Sequence, residues 1–472
     1  MANFGGITNP AWHLLRRGSL YTITLAVQLS ATVLVVPVVT REISPEGFGS
    51  LALALVVMQI LTLVASAGLP AAITRFYFNG HEGSAGSRSL VALSAGAAIV
   101  VAGFADVSGP VWSQLFSGLS YDSTLRIATW SVVPLAVVLS CQAVLRAEDR
   151  AGAFIAVGGV AAIGAQLLAL IALMTIEANP VYYLAGLGLG TLLASFVGVA
   201  AVSPLIPRSP IRLLRAALRY GVPTIPHGLA LFLLAAGDRI VIERLLGLAD
   251  VGRYQVAYLV GAVGIALAAA FNNAWAPMIY ASSDSDRPRL LARTSSVAFR
   301  LACLSAGLIS LAAPLGLWIF APAEYSTLEL TPVSAIVGLS VIPYVAYLAG
   351  VHVVFHHGKT SVVAWLTPLS ALINVLLNYL LIPPLGLTGA AFATLVSYCL
   401  LALGVHAMSS TLETVRWPFA EQSGWVALAM AMALLGSFLP SSGSGGWWLR
   451  GVLCLAIAAE LGRVLRRFRA NA

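Results

Sequence analysis

The amino-acid sequence predicts an all-α integral membrane protein of about fourteen transmembrane helices, and three observations carry that expectation. Hydrophobic residues make up 59% of the 472 positions and charged ones 9%, with a mean hydropathy of +0.91. A soluble domain carries about 25% charged residues. Apolar runs of about twenty residues, the length a helix needs to cross hydrocarbon, recur along the chain, and the charges collect in the short segments between them.

The runs fall near residues 20–40, 48–68, 90–110, 125–146, 153–175, 180–203, 221–247, 252–277, 294–321, 331–355, 361–383, 387–409, 424–440 and 446–465. An even number of spans puts both termini on one side. Twenty of the 26 Lys and Arg, among them Arg16, Arg75, Arg88, Arg146, Arg215, Arg287, Lys359 and Arg469, fall in one alternate set of segments. Only Arg41, Arg126, Arg244, Arg253 and Arg450 fall in the other, and Arg239 lies inside a span. The positive-inside bias makes the first set, with both termini, cytoplasmic. The excess of 26 basic over 18 acidic residues therefore suits loops at an anionic membrane surface, not nucleic acid. The first twenty residues lack the order of a cleavable signal, so the first span is expected to direct its own insertion.

Cys141, Cys303, Cys399 and Cys454 all sit in apolar runs without a CxxC spacing and read as small buried or lipid-facing residues. The triplet His352, His356 and His357 mimics a metal spacing but reads as the inner end of the tenth span. No stretch is long and polar enough for a separate catalytic domain, and no Gly-rich phosphate loop or nucleophile triad occurs. The expectation is a non-enzymatic chain with no cofactor and no metal.

One register relates the two halves. A shift of 203 residues carries Arg41 onto Arg244, Gly49 onto Gly252 and Ala54 onto Ala257. The same shift takes "LRRG" (15–18) onto "LRYG" (218–221), and Pro180, Leu184, Gly186, Thr191 and Leu192 onto Pro383, Leu387, Gly389, Thr394 and Leu395. The repeat covers six spans, so both copies enter the membrane with one polarity. Parallel repeats about an axis along the membrane normal are a transporter architecture. The expected organisation is a six-helix lobe over 1–203, an Arg-rich amphipathic linker over 204–220, a second six-helix lobe over 221–410, and two extra helices with a basic tail over 411–472.

The stretches "REISPEGFGSLALAL" (41–55), "GDRIVIERLLGLADVGRYQVAYLVG" (237–261) and "NVLLNYLLIPPLGLTGAAFATLVSY" (374–398) resemble the oligosaccharide flippases of bacterial polysaccharide export. That family belongs to the multidrug/oligosaccharidyl-lipid/polysaccharide (MOP) exporter superfamily, and the resemblance spans roughly residues 10 to 410. It implies a bacterial plasma-membrane protein that moves a polyprenyl-diphosphate-linked oligosaccharide from the inner to the outer leaflet. It further implies alternating access coupled to an ion gradient or membrane potential, and polysaccharide polymerase and glycosyltransferases as pathway partners of a monomeric flippase. The peptidoglycan lipid flippase and the multidrug exporters of the same superfamily are the alternatives. A membrane glycosyltransferase or polymerase is the alternative of another class; the whole-lobe repeat and short outer loops weigh against it.

The candidate site residues are polar groups set in apolar runs. Asp238, Arg239 and Glu243 put three ions in six residues of the seventh span, and a lone Asp or Arg at the bilayer centre costs about 2.5–3.5 kcal/mol on insertion scales. Arg239 and Glu243, four residues apart, share a helical face and can pair. They read either as a structural pair or as a cavity cation flanked by coupling carboxylates. Their repeat equivalents are Val35 and Val36 for the first two positions. Arg75 and Arg300 near the inner ends of their spans suit a diphosphate by bidentate contact, or snorkel to headgroups. Asn272, Asn374 and Asn378 read as cavity wall or interhelical hydrogen-bonding groups, and Pro223 and Pro226 as a hinge.

The charge asymmetry fixes a topology that reporter fusions test. Reporters after residues 82, 212 and 288 are expected to read cytoplasmic, and those after 178 and 444 external. An external reading at the C-terminus reverses the assignment.

Overall fold

The computed structural model describes residues 31–79, 83–205, 210–439 and 444–470. Every regular element among them is helical. Ten helical stretches are long and apolar enough to cross a bilayer, or eleven when the pair Leu248–Gly261 and Val263–Tyr280, bent by 48°, counts as one span. The three other expected spans have distinct fates. The run at 20–40 begins outside the described residues and is helical from 31 to 42. The run at 221–247 is broken at Gly237 into Ile225–Ala236 and Asp238–Leu246, and the last forms the helix Ser444–Ala470.

The breaks have local causes. Ala67 and Gly68 adopt positive φ (47° and 67°) and end the helix Pro45–Ser66. Gly247 at φ 98° separates Asp238–Leu246 from Leu248–Gly261, a conformation that costs glycine little. Asp122 caps Ser123–Ala147 by accepting from the Thr124 and Leu125 amides, and Asn179 caps Pro180–Val202 from the Val181 amide, with proline in its first turn. Pro223 lies in a single 3₁₀ turn, Val222–Thr224, between Pro210–Gly221 and Ile225–Ala236, and Pro226 opens the latter. Where a continuous span is expected, the helix is therefore interrupted at Val222–Thr224 and again at Gly237.

The chain divides into two compact units. The first comprises 1–35, 57–113 and 121–225, and its core gathers Leu69, Ile73, Leu90, Cys141, Val144 and Phe154. The amphipathic helix Pro210–Gly221 joins this core through Leu213 and Ala217 and leaves Arg212, Arg215 and Arg219 exposed. Helices approach closely at small residues: a Cβ on Gly190 would lie 2.2 Å from the Ala165 Cα, and one on Gly186 2.5 Å from the Leu168 carbonyl oxygen.

The second unit comprises 36–56, 114–120 and 226–472. Its core includes Trp275, Leu291, Cys303, Leu348, Val353, Leu401 and Val405. Gly389 repeats the close approach of Gly186, its would-be Cβ standing 2.2 Å from the Leu381 carbonyl oxygen. At one end of this unit Arg287 gathers Asp284 (2.7 Å), His356 (2.6 Å) and Glu413 (3.2 Å) from three chain segments. The Arg287 guanidinium holds the Asp284 carboxyl below the usual carboxylate range.

Arg450, expected in an outer loop, is instead 2% exposed. It donates to the carbonyls of Leu311 (3.0 Å), Gly436 (2.9 Å) and Leu439 (2.6 Å), so it caps the helix Phe419–Phe438 and ties it to Arg287–Phe320. Arg450→Ala strands these buried carbonyls and is expected to destabilise the protein by about 1–3 kcal/mol. Thermal unfolding in detergent checks it, and Arg450→Lys is expected to recover only part of the loss.

Candidate functional site

The break at Gly237 makes Asp238 the first residue of a new helix, where a carboxylate meets the positive end of the helix dipole. Its side chain is 1% exposed and that of Arg239 4%. They pair at 2.5 Å from Arg239 Nη1 to Asp238 Oδ1. The Tyr254 hydroxyl donates to Asp238 Oδ2 at 2.5 Å. Arg239 Nε donates to Gln255 Oε1 at 3.1 Å and Nη1 to the Ala235 carbonyl at 2.8 Å. The guanidinium also stacks 3.9 Å from the Tyr258 ring centroid and 5.2 Å from that of Tyr254. The helix Leu248–Gly261 thus supplies a cage for an ion pair held by the preceding helix.

This differs from the pairing expected four residues along. Arg239 turns back to Asp238, and Glu243 is engaged elsewhere: its Oε1 accepts the Gly118 amide at 2.5 Å, and its buried Oε2 has no partner among the described residues. The one-turn spacing of Tyr254 and Tyr258 was the signal in the sequence for the missed cage.

The helix Asp238–Leu246 packs on Thr360–Leu385, which carries the two asparagines. Both are fully buried, and Asn378 Nδ2 donates to the Asn374 carbonyl (2.9 Å) and to Asn374 Oδ1 (3.1 Å). Asn374 Nδ2, Asn378 Oδ1 and, on the neighbouring helix Leu387–Leu412, Thr394 Oγ1 lack partners among the described residues. Asn272 is half-buried with its Oδ1 unpartnered among them. Arg300 pairs with Glu421 and stacks 4.9 Å from the Trp425 ring, joining the repeat to the first extra helix. Arg75, in the first unit, is exposed and stacks 4.4 Å from the Tyr220 ring.

His352 is not a loop-end residue. It is 1% exposed, edge-on to Trp275 (4.9 Å) and Tyr280 (5.6 Å), with Nδ1 3.2 Å from the Tyr280 hydroxyl. Among the described residues no three His, Cys, Asp or Glu side chains gather as metal ligands.

The chain has the fold of solved transporters of the MOP superfamily. The lipid II flippase MurJ in an inward closed conformation superposes with a TM-score of 0.71, over 97% of this chain and 100% of that one, at 12% identity. An inward-facing multidrug resistance MATE family transporter gives 0.68, over 81% and 94%, at 16% identity. A MOP superfamily transporter from Pyrococcus furiosus gives 0.59, over 86% and 98%, at 15% identity. Residues 15–282 match the polysaccharide biosynthesis protein family, and the chain belongs to that family. No curated protein is close enough in sequence to match it.

Breaking a buried pair from one side leaves an uncompensated charge, so Arg239→Ala is expected to cost about 3–5 kcal/mol. Glu243→Gln, which keeps an acceptor for Gly118, costs about 1 kcal/mol or less. Unfolding of the purified variants measures both. A double-mutant cycle of Asp238→Asn and Arg239→Gln is expected to show strong coupling, and one of Arg239→Gln with Glu243→Gln almost none.

Proposed function

We propose that this protein flips a polyprenyl-diphosphate-linked oligosaccharide from the cytoplasmic to the outer leaflet of a bacterial plasma membrane. It does so by alternating access coupled to an ion gradient or the membrane potential, as a monomer, and hands its cargo to a polysaccharide polymerase after glycosyltransferases have built it. The family and the MOP fold support a transporter of polysaccharide precursors. One observation carries the lipid-linked cargo.

The second unit contains a cavity of about 1090 Å³. Its walls are apolar apart from Ser295, Thr388, His406, Gln422, Ser423 and Ser437. Phe419, Val426, Met430, Leu434 and Phe438 of the first extra helix form one side, facing Ala346, Ala349, Ala402 and Leu403 of the repeat. An isoprenoid tail must stay in apolar surroundings while its headgroup crosses, each buried methylene contributing about 0.8 kcal/mol. An apolar recess walled by a helix outside the repeat serves that need. The exposed Arg75 is a cation suited to the diphosphate, Asp238 and Glu243 are the carboxylates suited to coupling, and Asn272, Asn374 and Asn378 suit sugar hydroxyls. Pro223 and Pro226 supply the hinge.

The MurJ-like fold over almost the whole chain favours a lipid-linked peptidoglycan precursor as the second reading. Vesicles containing the purified protein separate the two by loss of cargo from the leaflet exposed to an impermeant oxidant. The expected outcome is flipping of polyprenyl-diphosphate oligosaccharides and none of lipid II or cationic drugs; preference for either of the latter overturns the reading. Filling the recess with Ala346→Trp or Ala402→Trp is expected to slow flipping about tenfold or more, since overpacking a fitted site costs about 1–3 kcal/mol. The same variants are expected to spare an analogue with a short isoprenoid tail.

A further inference from the structure

The repeat-matched glycines meet each other. A Cβ on Gly49 would lie 1.9 Å from the Leu248 carbonyl oxygen, and one on Gly252 2.0 Å from the Pro45 carbonyl oxygen. Pro45 and Leu248 are themselves related by the 203-residue shift, so the contact is isologous: each repeat offers the same glycine to the same carbonyl of the other. Neither glycine has a positive φ, so backbone conformation does not call for glycine here; close approach does.

The matched arginines repeat the pattern. Arg41 donates through Nη1 and Nη2 to the Ile319 carbonyl, both at 3.2 Å, and Arg244 through Nη1 to the Leu115 carbonyl at 3.2 Å. Leu115 shifted by 203 is Trp318, one residue from Ile319. Around them the Tyr325 hydroxyl donates to the Ile43 carbonyl (2.8 Å), and Glu243 holds the Gly118 amide.

We propose that Gly49, Gly252, Arg41 and Arg244 form a two-fold clasp that closes the outer end of the cargo path, and that its opening is the step that releases cargo. This rests on the alternating-access part of the proposed function. The helix Pro45–Ser66 makes the clasp with its first turns, which belong to the second compact unit, and continues from Val57 within the first. The segments 36–56 and 114–120 that carry the clasp each run on along the chain into residues of the first unit. At its centre the contact is backbone against backbone, so it separates without unthreading interlocked side chains. The arginine–carbonyl bonds are exposed and individually weak, as a contact remade in each cycle requires.

Accessibility to a membrane-impermeant maleimide tests this on the full chain with Cys141, Cys303, Cys399 and Cys454 replaced by Ala. The reporters are Ala54→Cys and, separately, Ala257→Cys, both fully buried and repeat-equivalent. With the clasp intact, labelling from outside is slow. Gly49→Ala and Gly252→Ala each force the carbonyls apart, and each is expected to speed labelling at both reporters about tenfold or more. Arg41→Gln and Arg244→Gln leave packing intact and are expected to speed it about two- to fivefold. Unchanged labelling in inserted glycine variants overturns the clasp. If the glycine variants fail to insert, unchanged labelling in both arginine variants overturns it instead. The maleimide reads the clasp whatever the cargo is, so normal labelling responses without oligosaccharide flipping refute the cargo and leave the clasp standing.

Discussion

A buried guanidinium must find its hydrogen bonds within the protein, because no water replaces those it gave up. Much of the second unit is arranged around that demand at Arg239. The helix break at Gly237 places Asp238 beside it and points the preceding carbonyl of Ala235 at its Nη1. The next helix returns Gln255 to its Nε and two tyrosine rings to its faces. Arg450 meets the same demand differently, directing its charge at the Gly436 and Leu439 carbonyls at the end of Phe419–Phe438, where the dipole is negative, and at the Leu311 carbonyl within Arg287–Phe320.

Close helix approach is the second constraint, and glycine meets it. Gly186, Gly190 and Gly389 let backbones touch within a unit, where packing substitutes for the hydrophobic drive that lipid does not supply. Gly49 and Gly252 use the same geometry across the repeat. Duplication thereby yields two kinds of glycine from one sequence pattern: those that hold a bundle together and those at which the copies meet.

The sequence shows most of the helices plainly, because apolar length and charge segregation are local properties. It also shows that Asp238, Arg239 and Glu243 are out of place in a span. It does not show which carboxylate Arg239 takes. Helical spacing favours Glu243, yet the choice is made by the break at Gly237 and by Gly118, a residue 125 positions from Glu243. Arg450 and His352 were hidden for a related reason. Both lie near the ends of apolar runs, where position along the chain suggests solvent, and only the packing of other helices buries them.

Caging changes what Arg239 offers to a cargo. Its charge is matched by Asp238 and faced by two rings, so it offers an anion less free positive charge than an exposed arginine does. Among the described residues Arg75 has no carboxylate on it, only the Tyr220 ring, which orients a guanidinium without neutralising it. An exposed, unneutralised arginine suits first capture of an anion. A caged one is held in a fixed place by its own carboxylate and rings. The two arginines differ because of what surrounds them: one faces a ring alone, the other a carboxylate and two rings.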